Sequence, residues 1–326
     1  MSLSSSALGR VIGGLLLALI VLGESARAQG LPEMTPINPV ASSRTGLYFL
    51  PLREPAPGHW VTSLAVDYAS AIEYNTELPA SYILDSELMR LSLGVSRDLG
   101  PRTFVKLDAA VSGAYPGFLD GFLDWYHGAL GIHMGERERR PRDRFLYRIA
   151  LPDGRTFQRR PDNLFLQDLR IGAGYRVNSL IQTVLSATLP TATGPAGYGR
   201  GVPSLGVLNT IGIPLSPRTY YEGSVGLGYT AAHGGLSGFQ QTTFLALTSG
   251  FRVAVWGRQS LFANLFYHSP YYHDTGFPGL DRRELSLDFG WILHARAGSE
   301  WRVGMTEDLE PGGPGIDLVF RFGRAF

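Results

Sequence analysis

The chain has 326 residues, of which 44% are hydrophobic, 11% aromatic and 17% charged, with a formal net charge of +1 and no cysteine. The charged share is below the roughly 25% of soluble globular chains, and the aromatic content argues against disorder. The near-zero charge gives no general pull toward nucleic acid, and the lack of cysteine excludes disulfides, thiol catalysis, zinc–thiolate sites and a lipidated N-terminal cysteine.

Arg10 precedes the apolar run 11–22, and Ala26-Arg27-Ala28 follows as a small-x-small cleavage pattern. This predicts a signal peptide over 1–28 and export, because the apolar core is shorter than the roughly 20 residues of a spanning helix. No later run is long and apolar enough to cross a bilayer as a helix. A membrane-embedded mature chain must then be a closed barrel, since only helices and barrels satisfy every backbone group in lipid. Residues 29–58 carry Pro32, Pro36, Pro39, Pro51, Pro55 and Pro57 without a clear period, which predicts an extended lead-in.

From His59 the period becomes two, and residues 59–326 are expected to form the barrel. Trp60, Thr62, Leu64, Val66 and Tyr68 share one face, as do Leu245, Leu247, Phe251 and Val253 further on, and Ile316, Leu318, Phe320 and Phe322 at the end. Twelve such segments occur, each near the ~9–11 residues that cross a bilayer as a tilted strand. Their apolar faces carry no charge. The opposite faces carry Arg90, Lys106, Asp108, Asp168, Arg170, Arg176, Glu222, Arg252, Asp288, His294, Arg302, Asp317 and Arg321. A basic side chain at the lipid midplane costs about 2–4 kcal/mol, so this sorting suits a barrel with a polar lumen. A soluble sandwich shows the same period with the faces exchanged.

The connections separate these two. Residues 98–101, 178–179, 214–217, 257–258 and 297–298 read as tight turns, alternating with longer loops at 70–81, 115–163, 190–201, 231–239, 269–280 and 308–315. Short periplasmic turns and long outer loops are the outer-membrane pattern. The terminal Phe326 resembles the signal read by the barrel assembly machinery.

The insert 115–163 is the longest loop. Phe118, Phe122, Trp125, Tyr126, Ala129 and Leu130 recur at helical spacing, with Asp120, Asp124 and His127 together on the opposite face. The second half is basic and contains Arg137, Arg139, Arg140, Arg142 and Arg144. The run GFLDGFLDWYHGALGIHMGERERRPRDRFLYRIALPDGRTF, with FLQDLRIGAGYRV and SATLPTATG after it, resembles the bacterial family catalogued as domain of unknown function 3187. The resemblance is strongest over 117–193, and Leu189–Gly194 departs from that family's LPTGD-like element. It implies an exported outer-membrane barrel and transfers no activity and no catalytic residue.

Asp120, Asp124 and His127 have a spacing that suits a metal ion or a general base, although such a face is more often solvated or paired with nearby arginines. The arginines suit either a constriction that favours anions or an external loop on lipopolysaccharide phosphates. His268-Ser269 does not make a hydrolase pair, because neighbours on a strand point to opposite faces. Gly172, Gly174, Gly226 and Gly228 lie inside strands with no helix following, so they are read as making room in the lumen rather than as a phosphate loop.

The expected protein is therefore all-β: a closed antiparallel transmembrane barrel of about 12 strands in the Gram-negative outer membrane, with a helix-containing insert. Its expected role is passive passage of a small solute, anionic in the sharper form, past lumen residues Arg170, Arg176, Asp168 and Asp288 and past the insert folded inward. The alternatives are a plugged barrel that binds lipid or a surface partner and, third, a lipid-acting enzyme. No enzyme activity and no cofactor are expected, and the expected partners are the bilayer, lipopolysaccharide and the assembly machinery.

Overall fold

The computed structural model describes residues 30–325, apart from 46, 48, 53–54, 56–57, 78–79, 132–140, 196, 296–298 and 311–317. The signal segment, Arg137, Arg139, Arg140, Asp317 and Phe326 lie outside the described residues.

Twelve antiparallel strands close on themselves. They are β1 (Trp60–Glu77), β2 (Ala80–Asp98), β3 (Thr103–Tyr115), β7 (Leu169–Arg176), β8 (Ile181–Leu189), β9 (Ser204–Ser216), β10 (Thr219–Thr230), β11 (Thr243–Trp256), β12 (Gln259–His268), β13 (Glu284–His294), β14 (Glu300–Asp308) and β15 (Leu318–Ala325). Each pairs with the next, β3 passes to β7, and β15 returns to β1 through Val66↔Phe322 and Tyr68↔Phe320. Closure leaves no sheet edge facing lipid. These strands match the twelve expected segments.

The two faces settle the choice between barrel and sandwich. Along β11, Leu245, Leu247, Phe251 and Val253 are exposed, while Phe244, Ala246, Thr248, Gly250 and Arg252 between them are buried. The same holds for exposed Leu261 and Leu265 on β12 and for Val225 and Leu227 on β10. The apolar face looks out and the charged face looks in. Arg90, Lys106, Arg176, Glu222, Arg252, Asp288 and Arg321 are all buried. In a sandwich the apolar face would be the buried one.

Two expected loops differ. The loop expected over 70–81 is strand almost throughout, because β1 and β2 extend to Glu77 and Ala80 as one tall hairpin. Its inward residues Ala69, Ala71, Glu73, Tyr82 and Leu84 are buried. Ser70, Glu73 and Asn75 mask the apolar period in sequence. The second half of the insert holds a hairpin, β4 (Leu146–Ala150) with β5 (Thr156–Arg159), followed by β6 (Asp162–Leu166). β4 pairs with β2 over Ser81–Asp85, and β6 pairs with β3 over Val111–Ala114.

The insert helix α2 (Asp120–Leu130) corrects the expectation of an inward constriction: its described residues lie on the outer wall. Leu119 and Leu123 are buried against Tyr68 and Met305, and Phe122 packs on Phe320 with ring centroids 5.9 Å apart. Glu87, on the outward face of β2, accepts hydrogen bonds from the backbone N–H groups of Phe118 (2.8 Å) and Leu119 and from the Tyr68 hydroxyl. A carboxylate at that place satisfies helix N–H groups that have no partner within the helix. Gly117 precedes it at φ +80°, and a Cβ there would collide with Glu87. The lumen is occupied instead by residues 30–52.

Candidate functional site: a luminal finger and the cavity beside it

The described residues of 30–52 form a finger inside the barrel. Leu31, Met34, Ile37, Val40, Ala41, Leu47, Phe49, Leu50 and Leu52 are all buried. These apolar residues, spaced among prolines, cannot form a ladder with the wall but can fill a tube. The finger starts at the short-turn end, where Gly30 O accepts from Arg252 Nη1 at 2.9 Å. It rises to a short helix, α1 (Pro39–Arg44), capped by Asn38, whose side chain accepts from Val40 N at 2.7 Å. It then descends past Phe49, which bridges to Met34, and reaches Leu52, whose N–H donates to Glu222 Oε2 at 3.1 Å.

Wall side chains hold the finger by its backbone. Arg90 donates to Pro36 O and Thr35 O, both at 2.7 Å, and Arg302 to Glu33 O at 2.7 Å. Thr210 Oγ1 donates to Leu50 O at 3.2 Å and Gln182 Nε2 to Pro51 O at 3.3 Å. Lys106 Nζ lies 2.5 Å from Glu33 Oε1. At the tip the direction reverses. Arg44 donates to the carbonyls of Thr230 (3.1 Å), Ala231 (3.1 Å) and Gln241 (2.6 Å) at the long-loop end. Burial lowers the pKa of the Arg44 guanidinium, opposed by nearby Tyr272.

Small luminal residues admit the finger. Leu47 lies over Gly228, where a Cβ would meet Leu47 Cγ at 3.0 Å, and Gly174 leaves space filled by the Phe104 ring. Toward the long-loop end an aromatic cluster closes around the finger. Phe49 meets Phe266 edge-on at 5.1 Å, and His268 stacks on Tyr271 at 4.2 Å. Burial raises the Tyr271 hydroxyl well above the usual phenol range. His268 Nδ1 lies 2.6 Å from Ser269 O, and Nε2 lies 3.1 Å from Thr45 Oγ1. Ser269 Oγ meanwhile accepts from Leu245 N at 3.0 Å.

At the short-turn end a cavity of about 160 Å³ remains between finger and wall. Its charged lining is mixed in sign: Glu33 from the finger, with Asp67, Arg90, Lys106, Asp108, Glu300, Arg302 and Arg321 from β1, β2, β3, β14 and β15. Arg90 pairs with Asp67 at 2.6 Å and Lys106 with Asp108 at 2.6 Å, while Arg321 approaches Asp288 at 3.6 Å.

The expected site residues fall in three places. Asp288 is fully buried, accepts from Thr306 Oγ1 at 2.9 Å and joins the Arg321–Asp67–Arg90 network. Arg176 pairs with Asp98 at 2.8 Å at the short-turn rim, over the Phe104 ring. Arg170 is half-buried opposite Asp108 on β3. Asp168 stands toward the long-loop end, where it holds Arg200 Nη1 at 2.9 Å and the N–H groups of Arg200 and Ala192 at 3.0 Å. The described insert residues stand outside the lumen. Asp124 pairs with Arg142 at 2.6 Å, Asp120 accepts from Asp143 N at 2.7 Å, Arg144 is exposed and His127 is buried. No cluster of potential metal ligands occurs among the described residues. Sequence reasoning missed Glu33, Arg44 and Asp67 as site residues. The signal for the finger is its run of apolar residues between prolines, too greasy for a solvated leader.

The family profile described as Protein of unknown function (DUF3187) matches residues 24–323. The chain belongs to the DUF3187 family. No curated protein sequence matches it. Among solved structures, this DUF3187 chain is similar to the COG4313 outer membrane channel from Pseudomonas putida F1, with a TM-score of 0.53 and 13% identity, over 84% of this chain and 97% of that one. The NanC porin aligns at a TM-score of 0.46 and 8% identity, over 81% and 98%. A Pseudomonas aeruginosa FadL homologue aligns at 0.44 and 10%, over 92% and 99%. At such identities the first of these establishes the shared barrel fold of the DUF3187 chain.

Proposed function

We propose that this protein is an exported channel of the Gram-negative outer membrane, that it passes a small solute passively, and that the finger 30–52 is its gate. The observation that carries this reading is the finger's place outside the sheet. Among the described residues it forms no ladder with any barrel strand, and its one bridge, Met34↔Phe49, is internal. Both its ends lie at the short-turn end, so it can withdraw there without threading the barrel. The name of the COG4313 outer membrane channel, which shares the fold, agrees with passage. The reading is of transport rather than catalysis. The signal peptide over 1–28, lipopolysaccharide at the outer rim and the assembly machinery at Phe326 belong to the same proposal.

Anion preference is the finer form of the proposal. Arg142 of the insert does not carry it, because it pairs with Asp124 on the outer wall. It rests instead on Arg90, Arg252 and Arg302, whose guanidinium donors are released from backbone carbonyls when the finger leaves. Such fixed donors suit carboxylate or phosphate groups. Reversal potentials in planar bilayers under a salt gradient test it, with anion selectivity expected and cation selectivity contradicting it.

One observation favours a second reading, a permanently plugged barrel that binds lipid or a partner: the aromatic packing around Phe49, Phe266, His268 and Tyr271 resembles a protein core. Swelling of proteoliposomes in small solutes separates the two. A gated channel admits solute and a permanent plug does not.

A further inference from the structure

The outward face of the wall changes character along the line that α2 follows. Met305, Phe320, Tyr68 and Met89 lie in one row across β14, β15, β1 and β2. In the next outward row toward the long-loop end, β14, β1 and β2 carry Glu307, Ser70 and Glu87. The helix is tied to this polar row at two points. Glu87 holds the N–H groups of Phe118 and Leu119, and the Tyr126 hydroxyl donates to Glu307 Oε1 at 3.2 Å. Its outer edge, Phe118, Phe122, Trp125 and Ala129, is exposed and uncharged. An amphipathic helix of this kind lies in the plane of a membrane interface. The chain then returns over the polar edge of α2, where Asp120 accepts from Asp143 N at 2.7 Å and Asp124 pairs with Arg142 at 2.6 Å. From there β4 runs along β2 away from Glu87, toward the long-loop end. Tyr147 and Ile149 turn inward and are buried, so Arg148 between them points out and is exposed. Arg148 stands opposite Gln158 of β5, and exposed Arg160 follows two residues on. Side chains on such a diagonal are about 7–8 Å apart. Arg144, just before β4, is exposed as well, with exposed Asp143 beside it.

We propose that this part of the outer wall is a seat for a phosphorylated glycolipid of the outer leaflet. Its acyl chains lie against Phe118, Phe122 and Trp125, and its sugar phosphates meet Arg144, Arg148 and Arg160. The guanidinium fork matches phosphate oxygens and stays charged at any relevant pH, and basic clusters beside an apolar membrane surface recognise anionic headgroups. The order along the wall, aromatic edge first and arginines toward the long-loop end, is the order of a lipid with its chains in the bilayer and its phosphates at the surface. A zwitterionic phospholipid would bring an ammonium to the arginines together with its phosphate. The inference rests on the outer-membrane part of the channel reading and does not depend on the finger being a gate.

The test is native mass spectrometry of the full mature chain, folded in detergent and titrated with diphosphorylated lipid A or with phosphatidylethanolamine. Saturable binding of lipid A is expected, at least tenfold tighter than that of phosphatidylethanolamine. The triple variant R144A/R148A/R160A should weaken lipid A binding tenfold or more. R282A/R283A, which removes exposed charge from the loop between β12 and β13, should change it less than twofold. Heat-modifiable electrophoretic mobility reports that each variant folds. Equal binding of the two lipids, undiminished lipid A binding by the folded triple variant, or an equal loss in the loop variant would overturn the assignment. Recovery of the expressed chain with the inner membrane removes the outer-membrane reading, whatever the titration shows. Recovery with the outer membrane and no lipid A binding removes the seat alone.

Discussion

Arg44 fixes the tip of the finger. Its guanidinium serves three backbone carbonyls, those of Thr230, Ala231 and Gln241, and leaving a buried polar group unpaired costs about 1–3 kcal/mol. R44A should therefore loosen the tip while leaving the wall intact. Amide exchange at residues 38–45 is expected to speed up tenfold or more, with β11 and β12 unchanged; unaltered exchange at 38–45 would show that packing alone holds the tip. Sequence did not identify Arg44, because a lone arginine in a proline-rich stretch has no period to place it. Asp288, Arg90 and Arg321 were legible as inward-facing, since the two-residue period of a strand assigns a face before any partner is known. Their association with Asp67 into one network was not, because it depends on which strands the closing barrel brings together.

The helix α2 shows what an element's pattern does and does not reveal. The helical spacing from Phe118 onward foretold it, and the structure gives Asp120–Leu130. The meaning of its faces is reversed relative to a water-exposed helix. Phe118, Phe122, Trp125 and Ala129 are exposed, while Leu119, Asp120, Leu123 and His127 are buried. An uncharged outer face suits a helix surrounded by lipid, and periodicity alone cannot name the solvent. The other four tryptophans, Trp60, Trp256, Trp291 and Trp301, all sit toward the short-turn end of their strands. A chain retaining only Trp125 should be quenched strongly by bromine-labelled lipid in reconstituted vesicles. Quenching by aqueous iodide instead would place α2 in water. L123A removes the fully buried anchor of α2 and should cost about 2–5 kcal/mol of docking free energy, measured as earlier proteolysis within 116–145 during urea titration. The strands β4 to β6 were hidden because Arg148, Arg159 and Asp162 give that stretch the look of a charged loop.

For the whole molecule, one sorting of side chains governs the fold. Through the middle of the wall the strands present apolar groups outward and charged groups inward, and this was legible there because it needs only the period of two; the tall β1–β2 hairpin, with Glu87 outward and Tyr82 and Leu84 inward, departs from it. What filled the inside was not legible, since the finger is irregular and its partners lie up to 286 residues away. The sorting gives a direct stability prediction. L247R, on the exposed face near the middle of β11, should destabilise the folded barrel in lipid by about 2–4 kcal/mol. Changing its inward neighbour Thr248 to Asn should have less effect in the same urea titration in vesicles.

The central claim is a transmembrane barrel whose lumen is closed by its own N-terminal finger. Single-channel recording of the mature chain beside a variant lacking residues 30–52 tests it most directly. The account predicts a closed or briefly flickering trace for the complete chain and a larger, steady conductance once the finger is removed. Identical traces from two correctly folded proteins would contradict it.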